Sequence, residues 1–263
     1  MSSDALCRWL HEKLESVPLV KFPFDITKLP DTGIYFFYEE SEKSTHTNNN
    51  HDDDNSGTNN NNNSSTSTTK SKPRIVRIST CRQDNFRRRI SEDFLLNEAK
   101  MMTFTIANAK PSDRSIFRKN IGRALLNKEN DYYQKIWEID FTIRENCNKY
   151  GIMRNIQKEK QIESTITKIL REKFSFRFIP FEGQAKKMVD DDTARIEEGK
   201  LIGTVASCNL CKASDNWLGK YSPTSQIRSG KLWLSEQEEH YLNSPALSEQ
   251  DKQKLENAII NTK

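Results

Sequence analysis

The chain has 263 residues with a formal net charge of +4; 34% are hydrophobic and 30% charged. That length suits one large domain or two small ones, and the mild basicity permits a nucleic-acid partner without demanding one. The N-terminal apolar pattern is interrupted by Asp4, Arg8, Glu12 and Lys13, and no apolar run approaches a bilayer span. An odd set of five cysteines (7, 81, 147, 208 and 211) does not read as a secreted disulfide framework. These features lead us to expect an intracellular protein, cytoplasmic or nuclear, with reduced thiols, neither secreted nor membrane-inserted.

In chain order, Leu6, Trp9, Leu10 and Leu14 recur at helical spacing over residues 3–16, with Ser3 as the expected N-cap. A proline-punctuated connector, 17–30, leads into a first strand at 33–38, Gly33-Ile34-Tyr35-Phe36-Phe37-Tyr38. Residues 41–72 are dominated by Asn, Ser, Thr, Asp and Lys. Such a composition buries too little apolar area to offset the entropy of ordering, so a disordered insertion at a hairpin tip is expected. A second strand, 74–80, alternates Arg74, Val76 and Ile78 with Ile75, Arg77 and Ser79.

Further on, a helix is expected over 83–100 on the stripe Phe86, Ile90 and Phe94, then a third strand at 101–107. Pro111-Ser112-Asp113 opens another helix running to Leu126. Its Arg114, Arg118, Lys119 and Arg123 make it basic. Residues 130–173 read as two helical pieces broken near Gly151, followed by a strand at 174–181. A helix over 191–207 precedes a loop holding Cys208, Cys211 and Asn216. A last helix starts at Ser248, where Ser248 and Asp251 resemble a capping box.

Three positions invite a catalytic reading. Glu198 falls on the apolar stripe Ala194, Leu201, Ile202 and Val205 of its helix, whereas Glu197 points away. A carboxylate on a buried stripe is costly unless it is ion-paired or metal-bound, and both readings stand. Arg89 borders the Phe86–Ile90 face, while Arg87 and Arg88 lie further round toward solvent. With Arg74, Arg77 and Arg82 they form a local cationic excess of the kind that contacts phosphate, set against a single acid, Asp84. Tyr35 is a packed strand tyrosine unless a metal or cation lowers its pKa. Cys208-Asn209-Leu210-Cys211 has the spacing of half a zinc knuckle, and Cys147 or His240 are the partners considered for it. Without a second pair, two ordinary thiols are expected. Trp233, His240 and Tyr241 belong to no motif.

Gly33-Ile34-Tyr35, Arg77-Ile78-Ser79, Asn85 through Ile90, Ile196 through Ile202, and Asp215-Asn216-Trp217-Leu218-Gly219 follow one another in the order of a GIY-YIG nuclease domain. The chain resembles a divergent member of that superfamily over roughly residues 30–222. The resemblance implies an α+β fold with a small central antiparallel sheet flanked by helices. It also implies cleavage of DNA phosphodiesters with Mg²⁺ or Mn²⁺. Carried over, Tyr35 would activate water, Arg89 would stabilise the transition state, Glu198 would bind the metal, and Asn216 would hold the site or substrate. Arg77, Arg87, Arg88, Arg118 and Lys119 would contact DNA. No small-molecule cofactor or membrane partner is implied. Arg77 and Ser79 replace the tyrosine and glycine of the second motif. The histidine that many members carry after the arginine is absent from Ser91-Glu92-Asp93. A catalytically impaired nucleic-acid-binding module is therefore the alternative. The expected division is 1–29 as N-terminal helix and connector, 30–225 as nuclease domain, and 226–263 as helical extension.

Overall fold

The computed structural model describes residues 2–46, 72–81, 85–181 and 191–260, with the side chains of 191–197 excepted. Its centre is a four-stranded antiparallel sheet of β1 (Val20–Lys21), β2 (Gly33–Lys43), β3 (Pro73–Cys81) and β4 (Phe174–Pro180), in the order β1-β4-β2-β3. The helices are α1 (Ser3–Glu15), α2 (Phe86–Asp93), α3 (Glu98–Met101), α4 (Ile116–Lys128), α5 (Gln134–Trp137), α6 (Arg144–Tyr150) and α7 (Ile156–Lys173). They continue with α8 (Asp191–Ala206), α9 (Ser225–Gly230) and α10 (Glu249–Ile260). This is a small antiparallel sheet flanked by helices.

β2 lies between two neighbours, so both of its edges are paired, and it is buried on both faces from Gly33 to Tyr38. One face, carrying Tyr35 and Phe37, is covered by aromatic rings. Tyr35 packs edge-on against Phe86 with centroids 5.5 Å apart, and Phe37 lies within 6.1 Å of Phe94 and 5.2 Å of Phe117. Aromatic pairs in this range add to what simple area burial contributes. The apolar residues of α1, the far face of the sheet, α8 and the segment around Trp233 all belong to one continuous core. Gly33 is required by the close approach of β2 to β4. A Cβ there would sit 2.5 Å from the Ile179 carbonyl oxygen.

Several boundaries differ from expectation for identifiable reasons. The two-residue β1 lies inside the stretch expected as connector and pairs with β4 through Val20 and Phe176. Ser2, not Ser3, caps α1: its hydroxyl accepts from the Ala5 N–H at 3.3 Å. The helix expected over 83–100 stops at Asp93, because Leu95 adopts a left-handed φ of 52°. The Arg171 guanidinium there takes the carbonyls of Phe94 and Leu95 at 3.0 and 2.7 Å. The strand expected at 101–107 does not form. Of its apolar residues Phe104 is buried but Ile106 is exposed, and the Asn108 side chain accepts from the Thr105 N–H at 2.7 Å, closing a turn. β2 and β3 do form a hairpin, whose ends meet where the Ser44 N–H donates to the Lys72 carbonyl at 2.8 Å. The disordered insertion expected at 41–72 is too long at both ends: residues 41–43 continue β2, and Glu42, Ser44, His46 and Lys72 are buried, while 47–71 lie outside the described residues, as do Arg82 and Asp84.

A Gly33→Ala substitution should force β2 from β4 and cost about 1–3 kcal/mol, the range for overpacking a filled interior. Urea denaturation of the variant beside the parent chain measures it.

Candidate functional site

β3 is an edge strand, and its free edge organises the site. Successive residues of a strand point to opposite faces. Ser79 pairs with Tyr35 and shares the face covered by α2 and α4, whereas Thr80 pairs with Ile34 and faces α8. A segment following α9 closes part of the open edge. The Trp233 N–H donates to the Val76 carbonyl at 2.7 Å, and Arg77 donates back to the Trp233 carbonyl at 2.8 Å. Beyond this closure, around the end of β3, lies a cleft of about 880 Å³. Arg77, Ser79, Thr80 and Cys81 line it from β3, Asn85 and Arg89 from the start of α2, and Glu198 from α8. The opposite wall is formed by Ser235–Glu238, His240 and Tyr241.

Two buried carboxylates define its electrostatics. Glu198 takes a hydrogen bond from the Thr80 N–H at 3.1 Å and one from the Thr80 hydroxyl at 2.7 Å. It is 6% exposed and has no ion-pair partner within 4 Å among the described residues. The ion-paired alternative for this glutamate is thus not realised there. Burial, and then the neighbouring charge of Glu238, push its pKa up to about 7, against the pull of the Thr80 hydrogen bonds and Arg77. Glu238 accepts from the Ser235 N–H at 2.6 Å, from the Ser79 hydroxyl at 3.1 Å and from Arg77 at 3.4 Å. Two carboxylates sharing a low-dielectric cleft repel, and a hard cation relieves that repulsion. Glu198, a hard oxygen donor without an ion-pair partner among the described residues and with Glu238 close enough to act on it, is the carboxylate here whose chemistry suits a divalent ion such as Mg²⁺ or Mn²⁺.

Of the expected site residues, Glu198 and Arg89 meet in this cleft. Arg89 is exposed in it and has no ion-pair partner among the described residues. Tyr35 lies one layer below, 1% exposed, with its hydroxyl hydrogen-bonded to Ser79 and beside Arg77. Burial raises its pKa well above the ordinary phenol value, with Cys81 adding to the shift and Arg77 and Ser79 opposing it. Asn216 is exposed on the loop before Trp217 and does not line the cleft. Arg87 is held by the Leu29 carbonyl at 2.8 Å and Asp31 at 3.3 Å, and Arg88 by Glu92 at 3.1 Å; both remain exposed. Cys81 lines the cleft, but burial holds its thiol near 12, too high for a thiolate nucleophile at neutral pH.

The cations assigned to DNA contact in the sequence divide sharply. Arg118 is fully buried and grips Glu163 at 2.7 Å together with the Asp93 carbonyl at 2.9 Å. Lys119 is buried, with its charge facing Asp113 at 3.5 Å. Arg77 is 2% exposed, bonded to Glu238 and stacked 5.2 Å over the Phe117 ring. These three side chains hold the interior together; strand and helix periodicity could not show it, because their acidic partners come from other elements.

Glu238, His240 and Tyr241 are what the sequence reasoning passed over. Glu238 carried one legible signal. Ser235-Glu236-Gln237-Glu238 has the S-x-x-E spacing of a capping box, and the Ser235 N–H does bond the Glu238 carboxylate. Gly203 of α8 explains why this wall packs so near: a Cβ there would lie 2.5 Å from the Ser244 carbonyl oxygen.

A family model described as "GIY-YIG domain" matches residues 58–259. The chain belongs to the GIY-YIG family. The match covers most of the chain, and takes in Arg89, Glu198, Glu238 and His240; it begins downstream of Gly33-Ile34-Tyr35. No curated protein and no solved structure matches the chain. The family fold supports a nuclease-type function in general terms, and no helix among the described residues is long and apolar enough to cross a membrane.

Removing Arg77 strands Glu238 in a buried site. Arg77→Ala should therefore cost about 3 kcal/mol or more, whereas Arg88→Ala, on the exposed face of α2, should cost under about 0.5 kcal/mol. Equilibrium unfolding of the two variants checks the difference.

Proposed function

We propose that the chain is a divalent-metal-dependent endonuclease that hydrolyses DNA phosphodiester bonds in the cleft at the end of β3. The observation that carries this reading is the meeting there of Glu198, a buried carboxylate without an ion-pair partner among the described residues, and Arg89, an exposed cation in the same position. Phosphodiester hydrolysis needs a group that stabilises charge on the phosphorus centre and one that accepts a proton from water. Glu198, helped by Glu238, would hold Mg²⁺ or Mn²⁺, which when bound supplies Lewis-acid stabilisation of the developing oxyanion. Arg89 would donate to the phosphate oxygens as charge accumulates on them, and Arg88, exposed on the same helix, would meet the neighbouring backbone.

For the base, burial disfavours Tyr35. Its phenol is raised in pKa and screened from the cleft by Ser79 and Arg77. We assign the proton acceptor to His240, the imidazole that lines the cleft and is exposed there. Tyr35 then acts through Ser79 and Arg77 as a positioning residue. On this reading the nuclease unit extends beyond 30–225 into 226–263, since Glu238 and His240 come from there.

The burial of Tyr35 and the commitment of Arg77 to Glu238 also favour a second reading, a DNA-binding module with little or no catalysis. Nicking of supercoiled plasmid separates the two. The endonuclease reading expects Mg²⁺- or Mn²⁺-dependent nicking that falls about 100-fold or more in Glu198→Gln and Arg89→Ala. It expects a comparable loss in His240→Ala, and a smaller one in Tyr35→Phe. Salt-sensitive DNA binding with no metal-dependent cleavage supports the second reading. Cleavage that survives both Glu198→Gln and Arg89→Ala excludes this cleft as the site.

The titration of Glu198 adds a prediction. The folded chain holds this proton more tightly than the unfolded one, so the carboxyl favours folding below its ordinary value of 4.5. That contribution is lost as pH rises through about 7. A divalent cation binds the ionised form. Mn²⁺ should therefore raise the Tm at about pH 8 and much less at about pH 6, and Glu198→Gln should abolish the difference. Differential scanning fluorimetry measures it.

A further inference from the structure

Cys208 and Cys211 are not two ordinary loop thiols. The partners considered for them in the sequence do not join them. Cys147 donates to the Phe141 carbonyl at 3.3 Å, and His240 lies tilted against Tyr241 with centroids 4.1 Å apart. Instead Cys7, from the first turns of α1, and His46, three residues beyond β2, converge on the pair. The three sulfurs and a His46 ring nitrogen all lie within 4.8 Å of one another.

Three of the six separations can be set against the edges of a coordination tetrahedron, and the rest lie under 4.8 Å. Cys7 Sγ lies 3.6 Å from Cys211 Sγ, and His46 Nε2 lies 3.6 Å from Cys208 Sγ and 3.4 Å from Cys211 Sγ. A tetrahedral ion with Zn–S near 2.3 Å and Zn–N near 2.05 Å has S···S edges of about 3.8 Å and S···N edges of about 3.6 Å. A disulfide needs sulfurs at about 2.05 Å, and all these cysteines are free. Thiols are weak hydrogen-bond donors and acceptors, so three of them and an imidazole gain little from one another alone. His46 is buried with no partner on Nδ1 among the described residues, so its polar contacts are those of Nε2 with the sulfurs.

We propose that Cys7, His46, Cys208 and Cys211 bind one zinc ion as a structural site. Three thiolates and an imidazole are a soft donor set that selects zinc over the magnesium or manganese suited to Glu198. All four ligands are buried, which closes the site and leaves no open position for a reacting water, as in structural rather than catalytic zinc centres. With three thiolates the centre carries one net negative charge. Arg74, close enough to act on Cys211, and Lys231, whose Nζ donates to the Cys208 carbonyl at 3.2 Å, are placed to offset it. His11 Nε2 lies 3.3 Å from Cys211 Sγ, where an N–H would steady the thiolate from outside the coordination shell.

The surrounding backbone organises the ligands independently of any ion. The Thr45 N–H donates to the Leu210 carbonyl at 2.9 Å, and the Asn209 N–H to the Asp4 carboxylate at 2.7 Å. The centre thereby fastens the start of α1, the far end of β2 and the end of α8. These segments are distant in sequence, and a cross-link closing so long a loop restrains the unfolded chain most. Since α8 carries Glu198 and β2 carries Tyr35, zinc would set the seat of the cleft without entering it.

Elemental analysis of the full chain, expressed with zinc and purified without chelator, tests this. We expect about one equivalent of zinc per chain, lost in the Cys208→Ser/Cys211→Ser double variant and kept in Cys147→Ser. Loading with Co²⁺ should give the thiolate-to-cobalt charge-transfer band and visible bands of a tetrahedral sulfur-rich site. His46→Cys should keep the metal with a shifted cobalt spectrum, and His11→Asn should keep it with the parental one. Because the cysteine variants are subject to misfolding, the parent chain is also treated with a zinc-selective chelator. Its Tm should fall and be restored by Zn²⁺ but not by Mg²⁺. Zinc-free parent protein whose Tm is indifferent to Zn²⁺, or a Cys7–Cys211 disulfide found by mass spectrometry, overturns the proposal.

Discussion

The open edge of β3 is the constraint on which the rest of the site depends. An unpaired strand edge invites association with other chains, and proteins cover or interrupt it. Here the cover is supplied from the C-terminal part of the chain. Trp233 pairs with Val76 through the backbone, and Arg77 and Ser79 reach across to Glu238. The covering stops short of the strand's end, and the gap is the cleft. Because side chains alternate along a strand, the uncovered stretch addresses both faces of the sheet. Ser79 meets Glu238 on one side and Thr80 meets Glu198 on the other. Two carboxylates distant in sequence, one on α8 and one in the turn after Ser235, are thereby brought into one electrostatic environment.

The same economy governs the arginines. A cluster of cations in sequence reads as a phosphate-binding face, yet in this chain Arg74, Arg77 and Arg118 are internal ties. Arg74 pairs with the fully buried Glu42 at 2.7 Å and lies 5.0 Å over Trp217. Arg118 and Arg154 are locked onto Glu163 and Glu159, each at 2.7 Å or less. Buried pairs of this kind contribute little net stability compared with apolar replacements, but they tolerate no loss of one partner. At the cleft itself the exposed cation is Arg89, with Arg87 and Arg88 exposed beside it on α2.

Much of the architecture was legible in the sequence. An apolar aromatic run marked β2, alternation marked β3, recurring phenylalanines marked β4, and the 3.6-residue period marked α1, α4, α7 and α8. Glu198 stood out because a carboxylate interrupted the stripe of Leu201, Ile202 and Val205, all of which are buried. The failures have physical causes. The residues near Ile106 alternate like a strand but have no partner edge, so side-chain-capped turns take them instead. The expected long helix after β3 was cut by a left-handed Leu95 whose preceding carbonyls Arg171 satisfies from α7. In both cases the deciding group lies far away in sequence.

By itself the sequence determined the periodic elements, the order of motifs that marks the family, and the two side chains, Arg89 and Glu198, on which the proposed site rests. Tertiary structure alone decided which partners those motifs acquired. It buried Tyr35 below the cleft and left Asn216 outside it. It brought Glu238 and His240 in from the C-terminal segment and turned Cys208 and Cys211 from half a motif into a closed set with Cys7 and His46. The reason is one of range. Helical and strand periods report on neighbours within a few residues, whereas a cleft or a metal cage is assembled from segments that meet only when the sheet and its covering helices have packed.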